Sequence, residues 1–152
     1  MQDDEKPQLL AAVKELLAKH PDKPVFMVNL LKFKEKDGVK NYLTYSKHMV
    51  PLLARAGASV VYSGNGLSLL LGSSDSRWDH VLIVRYSAPP PNQLLSFVTK
   101  RMLKIRYPSA AAFVQMTSSD EYLKVGQYRK LAIERSALLA TDGEPLTKLA
   151  RL

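Results

Sequence analysis

Apolar residues near the N-terminus recur at the spacing of a helix. Leu9 and Val13 would share one helical face, Pro7 is tolerated at a first helical position, and His20 precedes a second proline that ends the pattern. We therefore expect residues 1–23 to contribute an N-terminal helix with a single apolar face.

The segment PVFMVNLLKF, Pro24 to Phe33, has a different pattern, because both sets of alternating positions are apolar. One set comprises Val25, Met27, Asn29, Leu31 and Phe33, and the other comprises Phe26, Val28 and Leu30. A strand that is covered on both faces has this composition. The pattern predicts such a strand, with Asn29 as the polar residue inside it.

Helical spacing returns between Tyr42 and Ala56, and Gly57 follows at a position where glycine commonly ends a helix. Pro51 falls inside this stretch. Because proline lacks an N–H and its ring clashes with the preceding turn, the sequence predicts a helix that is kinked near Lys47.

Two apolar runs, ASVVYS and LSLLLG, flank Gly64-Asn65-Gly66, whose residues accept positive φ angles. This arrangement predicts a hairpin of two strands. The segment WDHVLIVRY, Trp78 to Tyr86, is apolar through its middle and predicts a further strand.

The last part of the chain predicts two helices and a short strand. Pro108 can begin a short helix, and Ser118 and Glu121 have capping-box spacing ahead of a longer helix that continues to Ile133. Residues 137–141, ALLAT, are expected to form a final short strand before a polar tail.

Without residues 87–107 the predicted order is strand, helix, strand hairpin, strand, helix, strand. This is the α+β, ferredoxin-like split βαβ plan, in which an antiparallel sheet carries helices on one face. The predicted domain spans residues 24–141, and residues 142–152 form a tail. Since the first strand and residues 81–84 are apolar on both faces, the other sheet face needs a cover. A second copy of the chain, joined through a two-fold interface that closes two sheets into a barrel, is the simplest one.

Several short motifs, in this order along the chain, are similar to those of one family. They are NLLKF at 29–33, YLTYSKHMVPLLARAGASVVYSG at 42–64, WDHVLIVRY at 78–86, YPSAAAFVQM at 107–116 and EYLKVGQYRKLAIERSALLAT at 121–141. The chain resembles the domain of unknown function 1330 family, within the dimeric α+β barrel superfamily. The resemblance implies a homodimer with a cavity between sheet and helices. Superfamily relatives include small cofactor-independent oxygenases, isomerases and haem enzymes, so the resemblance implies no single mechanism.

Residues 87–107 interrupt that resemblance. In the family the strand looks continuous with the next helix, as in VRYPS, whereas here Ser87 to Tyr107 separates VRY from PSAAAF. We interpret the segment as an insertion, either real or an artefact of the gene model. If real, its proline triplet ends the strand, and its apolar positions form one face of a basic amphipathic helix. Such a helix could contact a membrane or a partner, could pack on its own domain, or could be disordered.

Composition narrows the function classes. At 152 residues and 46% hydrophobic content the chain fits one domain. It contains no cysteine, which excludes disulfides and cysteine nucleophiles and fits a reducing, cytoplasmic location. No apolar run approaches the roughly 20 residues of a membrane span.

The net charge of +8 depends partly on the basic residues of the 87–107 segment, and no nucleic-acid-binding signature is present, so we expect no nucleic-acid partner. The chain also lacks a nucleophile elbow, a P-loop, a dinucleotide fingerprint and a histidine metal motif, so we expect neither a metal nor a cofactor.

Four residues are candidates for binding a small molecule. Asn29 could orient a ligand carbonyl, or be a structural amide that ties its strand to a neighbour. Tyr45 shares a helix face with Tyr42, and their hydroxyls could reach a pocket or simply belong to the core. His48 follows Tyr45 by three positions and could act as a general base, or be a solvated histidine. Arg85 could bind a carboxylate ligand or join an ordinary ion pair.

Two further features are weaker candidates for a functional role. Arg129 offers the same choice as Arg85, with Glu121 and Glu134 as candidate ion-pair partners. Trp78-Asp79 marks the start of a strand, where both residues are expected to be structural.

Two functional hypotheses follow. The first is a pocket that binds a small organic molecule, with cofactor-independent oxygenation or isomerisation as its chemistry and with His48 or a tyrosine handling a proton. The second is a non-enzymatic interaction or structural dimer, whose basic segment 87–107 contacts a partner or a membrane surface. Substitution of His48 and Arg85 would separate the two.

Overall fold

The computed structural model describes residues 5–19, 24–87 and 109–143. The helices and strands are α1 Glu5–Lys19, β1 Val25–Phe33, α2 Gly38–Arg55, β2 Ala58–Asn65, β3 His80–Tyr86, α3 Ser109–Thr117, α4 Asp120–Ala132 and β4 Ile133–Thr141, with a 3-10 turn at Ser74–Ser76. The predicted insertion lies, apart from Ser87, outside the described residues, and so do Pro108 and most of the predicted tail.

The four strands form one sheet in the order β2-β3-β1-β4, and each neighbouring pair is antiparallel. After α1, the chain runs strand, helix, strand, strand, two helices, strand. The ferredoxin-like α+β fold predicted from the sequence is therefore confirmed. The two central strands are β1 and β3, which are the segments that the sequence pattern marked as apolar on both faces.

One face of the sheet packs against the helices. On β1 this face carries Val25, Met27 and Leu31, which are all buried, and on β3 it carries Val84 and Tyr86. Helices α2 and α4 pack against each other above it, and α2 contributes the buried residues Tyr42, Tyr45, Met49 and Leu52. These four residues recur at helical spacing, so a single stripe of α2 supplies one side of the core.

The opposite face of the sheet is apolar too. Phe26, Val28 and Leu30 of β1 are half-buried there, and Leu139 of β4 pairs with Val28 and is exposed. None of these residues belongs to the core cluster or packs against it, and the buried residues of β1 and β3 lie on the other face.

The predicted hairpin at Gly64-Asn65-Gly66 is wrong in its second strand. Residues 67–72 form no strand, and β2 pairs instead with β3 across a connection that includes the Ser74–Ser76 turn. The Gly66 N–H donates to the Asp79 carbonyl. The connection therefore begins directly after Asn65 and His80, the last residue pair of the β2–β3 ladder. The chain leaves the sheet after Asn65 and re-enters it at His80, so β3 and not the leucine-rich run pairs with β2.

Two boundaries near the C-terminus also differ from expectation. The residue that caps α4 is Ser119 and not Ser118, because the Ser119 hydroxyl accepts a hydrogen bond from the Tyr122 N–H. The helix ends at Ala132, so Ile133 begins β4, which is longer than the strand predicted at 137–141. Pairing with β1 recruits the residues before Ala137, and local propensity does not reveal that pairing.

Helix α2 continues past Pro51 to Arg55, and Gly57 follows it with a φ of 67°, in the left-handed region that glycine accepts. The kink near Lys47 stays a prediction. Among the described residues, none of the helices combines the length and the apolar character that crossing a bilayer requires.

Candidate functional site

A cavity of about 740 Å³ lies between the helix-facing side of the sheet and the helices. Most of its wall is apolar, from α2, α3 and the sheet, with a contribution from α1. It opens between α2 and β2, where three lining residues, Leu43, Val50 and Val60, are at least half exposed. The polar groups in its wall include Asn29, Ser63, Asn65, His80, Arg129 and Ser136.

Three of these polar residues stand in one row across the sheet. Asn65 on β2 is opposite His80 on β3, His80 is opposite Leu31 on β1, and Leu31 is opposite Ser136 on β4. Side chains at directly paired positions point to the same face of a sheet. The register therefore places Asn65, His80 and Ser136 along one line of the cavity floor.

His80 is held from two sides. Its Nδ1 lies 2.9 Å from the side-chain oxygen of Asn65, and its Nε2 lies 3.1 Å from the hydroxyl of Ser63. Because the amide oxygen can only accept, Nδ1 carries the proton in the neutral ring and Nε2 keeps its lone pair. The Ser63 hydroxyl then donates to Nε2. This arrangement leaves His80 with an unprotonated Nε2, which accepts a hydrogen bond from the Ser63 hydroxyl at the cavity mouth.

Two aromatic rings lie together on one side of the same histidine. The ring centroids of Phe33 and Tyr42 lie 6.3 and 6.4 Å from the His80 ring, and Phe33 and Tyr42 lie 5.1 Å from each other. All three residues line the cavity. The half-buried imidazole therefore packs against a pair of rings on one side, in addition to its hydrogen bonds.

The tyrosine hydroxyls on α2 stay protonated over a wide pH range. Burial raises the pKa of Tyr42 to about 12, against an opposing effect of the positive charge of Arg129. Burial also raises the pKa of Tyr45 well above its ordinary value, and the neighbouring Tyr122 hydroxyl adds to this. Tyr42 and Tyr45 are therefore hydrogen-bond donors at neutral pH.

Arg129 brings a positive charge to the cavity wall. Its guanidinium donates to the Ser136 hydroxyl at 3.4 Å, and the residue is half-buried. The expected partner Glu121 instead pairs with Arg55 on the surface. Within the described ranges, neither Arg129 nor Arg85 forms an ion pair with an acidic side chain.

Asn29 lines the cavity, but its amide group is used within the sheet. Its side-chain nitrogen donates to the Met27 carbonyl at 3.1 Å and to the Leu82 carbonyl at 3.4 Å. The bond to Leu82 ties β1 to β3, which is the structural role that the sequence left open. The side-chain oxygen remains available to accept a hydrogen bond.

His48 and Arg85 do not line this cavity. His48 is exposed, and its ring stacks on Tyr128 of α4, with the ring centroids 6.0 Å apart. Arg85 pairs with Phe26 on the sheet face away from the helices, and its guanidinium lies 6.0 Å from the centre of that ring. Of the four predicted ligand-binding residues, the structure brings Asn29 and Tyr45 together at the cavity.

Trp78 and Asp79 have structural contacts. Asp79 accepts a hydrogen bond from the Phe33 N–H at 2.8 Å and one from the Lys32 ammonium at 2.9 Å. Partial burial opposes ionisation of this carboxyl, but the two donors outweigh it and lower the pKa of Asp79. The guanidinium of Arg135 lies 4.6 Å from the centre of the Trp78 ring. Both contacts hold the start of β3 against its neighbours.

Sequence reasoning missed Ser63, Asn65 and the position of His80. Asn65 belongs to the predicted turn, although it closes β2, and His80 is a histidine at a strand start that lacks metal-ligand spacing and is expected to be satisfied or solvated. The alternation Ser63, Asn65 on one strand face was the signal that could have found them. In the described part of the chain, no group of three or more histidine, cysteine, aspartate or glutamate side chains is placed to hold a metal ion.

These features define a ferredoxin-like α+β protein with a cavity between its antiparallel sheet and its helices. The chain is similar to the crystal structure of a protein of unknown function from Rhodopseudomonas palustris, with 27% sequence identity and a TM-score of 0.62 over 87% of this chain and 94% of that one. The methylated form of that protein matches with 27% identity and a TM-score of 0.63 over 88% and 93%.

An uncharacterised NIPSNAP domain protein from Burkholderia xenovorans is also similar, with 7% identity and a TM-score of 0.48 over 81% of this chain and 96% of that one. No protein-family model matches the chain, and no curated protein does.

Proposed function

We propose that this protein binds a small, mostly apolar organic molecule in the cavity between sheet and helices. The observation that carries the proposal is the cavity of about 740 Å³, whose largely apolar wall holds a few converging polar groups. Sites for small organic ligands typically have about 300–1,000 Å³ and this mixture of surfaces. The resemblance to the domain of unknown function 1330 family supports the same assignment.

The chemistry that these groups can serve by themselves is proton transfer, as in an isomerisation or a cofactor-independent oxygenation. His80, rather than His48, is the residue placed to accept a proton, because Asn65 holds Nδ1–H and leaves Nε2 basic. The protonated hydroxyl of Tyr42 can donate to a developing oxyanion. Once the Ser63 hydroxyl turns away from Nε2, His80 can take a proton from carbon and Tyr42 can stabilise the resulting enolate.

The protein acts as a homodimer in this proposal. Its support is the second sheet face, where Phe26, Val28 and Leu30 form an apolar surface that no described helix covers. A two-fold partner would bury this surface. A cytoplasmic location fits a chain without cysteine.

Native mass spectrometry tests the assembly. We expect a dimer for the unaltered protein and a monomer for Val28→Lys, which puts a charge at the centre of the second sheet face. Leu123→Lys on the outside of α4 is the matched control, since Leu123 is 48% exposed, and it should stay dimeric. A monomer for the unaltered protein would refute the assembly.

Two neighbouring valines test the cavity. Val60 and Val61 are each 50% exposed, but only Val60 lines the cavity. Binding of the neutral dye Nile red, which becomes fluorescent in apolar sites, should be strongly reduced by Val60→Trp and unchanged by Val61→Trp. Equal binding by both variants would show that the dye binds elsewhere and would contradict the proposal.

The proton-transfer chemistry needs a bound molecule, which native mass spectrometry of protein from its own cells can identify as an adduct. That molecule, incubated with the protein in deuterated water, should incorporate deuterium at carbon. The variant His80→Gln should retain binding and lose most of the exchange, while His48→Gln should exchange normally. Unchanged exchange in His80→Gln would remove His80 from the mechanism.

A second candidate function, a non-enzymatic interaction dimer, is favoured by one observation. Leu67, Leu70 and Leu71 are 97%, 93% and 93% exposed in the connection between β2 and β3. Exposed leucines grouped in this way mark contact surfaces in many proteins. This candidate predicts that replacing the three leucines by serine abolishes the interaction with the partner, whereas Val60→Trp leaves that interaction unchanged.

A further inference from the structure

The described lining residues of the cavity carry a positive charge and no negative one. Arg129 is the charged side chain among the described lining residues, and none of those residues is an aspartate or a glutamate. In proteins a half-buried guanidinium usually has a carboxylate close by, because removing a charge from water is costly unless the charge is compensated. Here its hydrogen-bond partner within the described ranges is the neutral hydroxyl of Ser136.

The position of Arg129 suits a positive charge. It lies in the last turn of α4, where the carbonyl groups at the helix end interact favourably with a cation. Its charge also reaches the phenol groups of α2, since it lowers the pKa values of Tyr42 and Tyr45 against the larger effect of their burial. A positive charge thus acts across the cavity and has no internal counter-ion in the described part of the wall.

A further donor lies in the same wall. The hydroxyl of Tyr42 remains protonated and can donate to an oxygen atom, whereas the hydroxyl of Tyr45 is already hydrogen-bonded to Tyr122. A guanidinium with a phenol group nearby is complementary to a planar anion with two oxygen atoms, which an arginine can bind through two parallel hydrogen bonds.

We propose that the ligand of this cavity is an organic carboxylate, with its carboxylate on Arg129 and its apolar body against the wall. This inference rests on the proposed function and adds the class of ligand to it. The sheet register also indicates the length of the ligand. Ser136, beside Arg129, and the proton acceptor His80 are two strands apart, or roughly 10 Å. An aromatic or branched acid of modest length spans that distance.

Displacement of Nile red tests the charge of the ligand separately from the existence of the site. The probes are phenylacetate and phenylacetamide, which have nearly the same shape and differ in charge. We expect phenylacetate to displace the dye at about tenfold lower concentration, which corresponds to about 1.4 kcal/mol. Arg129→Gln should remove this preference while Nile red still binds. Arg85→Gln, which changes an arginine on the opposite sheet face, should retain it.

Each outcome decides a different point. Equal displacement by the two probes with the unaltered protein would overturn the carboxylate inference and leave the cavity in place, and this result needs no variant to fold. A preference that persists in Arg129→Gln would overturn the assignment to Arg129, and Arg129→Lys, which keeps a positive charge, should preserve part of it. Nile red that fails to bind the unaltered protein would count against the proposed function itself.

Discussion

The imidazole of His80 lies opposite Asn65 in the β2–β3 ladder, with its Nδ1 2.9 Å from the Asn65 side-chain oxygen. Strand pairing brings the two residues together from positions 15 apart in the chain. The contact determines which imidazole nitrogen can accept a proton, because the amide oxygen fixes the proton on Nδ1. Without β2, the same histidine would present either nitrogen to the cavity.

The first prediction concerns this tautomer. Nitrogen NMR of the imidazole should show His80 protonated on Nδ1 in the neutral form, and Asn65→Ala should produce a mixture of tautomers because the fixing acceptor is gone. Ser63→Ala should leave the Nδ1–H tautomer dominant, since Ser63 contacts the other nitrogen. A native ring protonated on Nε2 would contradict the arrangement.

The second prediction concerns stability at alkaline pH. The pKa of Tyr42 is raised from 10.0 to about 12 by burial, so the folded protein holds a proton that the unfolded chain loses earlier. This contribution to stability is complete below pH 10 and is lost as the pH rises towards 12. Urea unfolding between these pH values should therefore show a smaller loss of stability in Tyr42→Phe than in the unaltered protein. Equal losses would mean that Tyr42 is not shielded from water.

The third prediction concerns stability at acidic pH. The pKa of Asp79 is lowered, so its contribution is present above the ordinary carboxyl pKa of 3.8 and is lost as the pH falls through the lower, folded value. Asp79→Asn should cost about 0.5–1 kcal/mol in urea unfolding at neutral pH, because the pair with Lys32 is partly exposed.

At strongly acidic pH the cost of Asp79→Asn should shrink, because the native carboxyl is then protonated as well. Asp75→Asn, in the exposed 3-10 turn, is the control and should have little effect at either pH. A cost for Asp79→Asn that is independent of pH would show that the charge of Asp79 is not what stabilises the start of β3.

The fourth prediction uses two glycines that differ in the space around them. A Cβ at Gly38, the first residue of α2, would lie 2.9 Å from the Ala132 carbonyl oxygen and 3.1 Å from the Phe33 Cβ. Gly38→Ala should therefore destabilise the protein by about 1–3 kcal/mol. Gly126, inside α4, has its nearest neighbour at 3.8 Å, so Gly126→Ala should stabilise by about 0.5–1 kcal/mol. Thermal unfolding should shift in opposite directions, and shifts of the same sign would contradict this packing.

The predicted ligand-binding residues His48 and Arg85 do not line the cavity, for specific reasons. His48 follows Tyr45 by one helical turn, but Tyr42, Tyr45, Met49 and Leu52 define the buried stripe of α2, and His48 lies beside it towards α4. Arg85 lies one residue from Val84, and successive residues of a strand point to opposite faces. Both alternations of β3 are apolar, so no pattern in the sequence says which one meets the helices.

The sequence by itself determined the α+β class, the stripe of α2 and the apolar character of the two central strands, although it also predicted a strand at 67–72 that the structure does not contain. These properties depend on periods of two and of 3.6 residues, which are local. The tertiary structure alone decided that β2 pairs with β3, that β4 begins at Ile133 and that Asn65, His80 and Ser136 share one row. Strand pairing joins residues that are distant in the chain, and the free energy of that pairing depends on the whole sheet and not on any single segment.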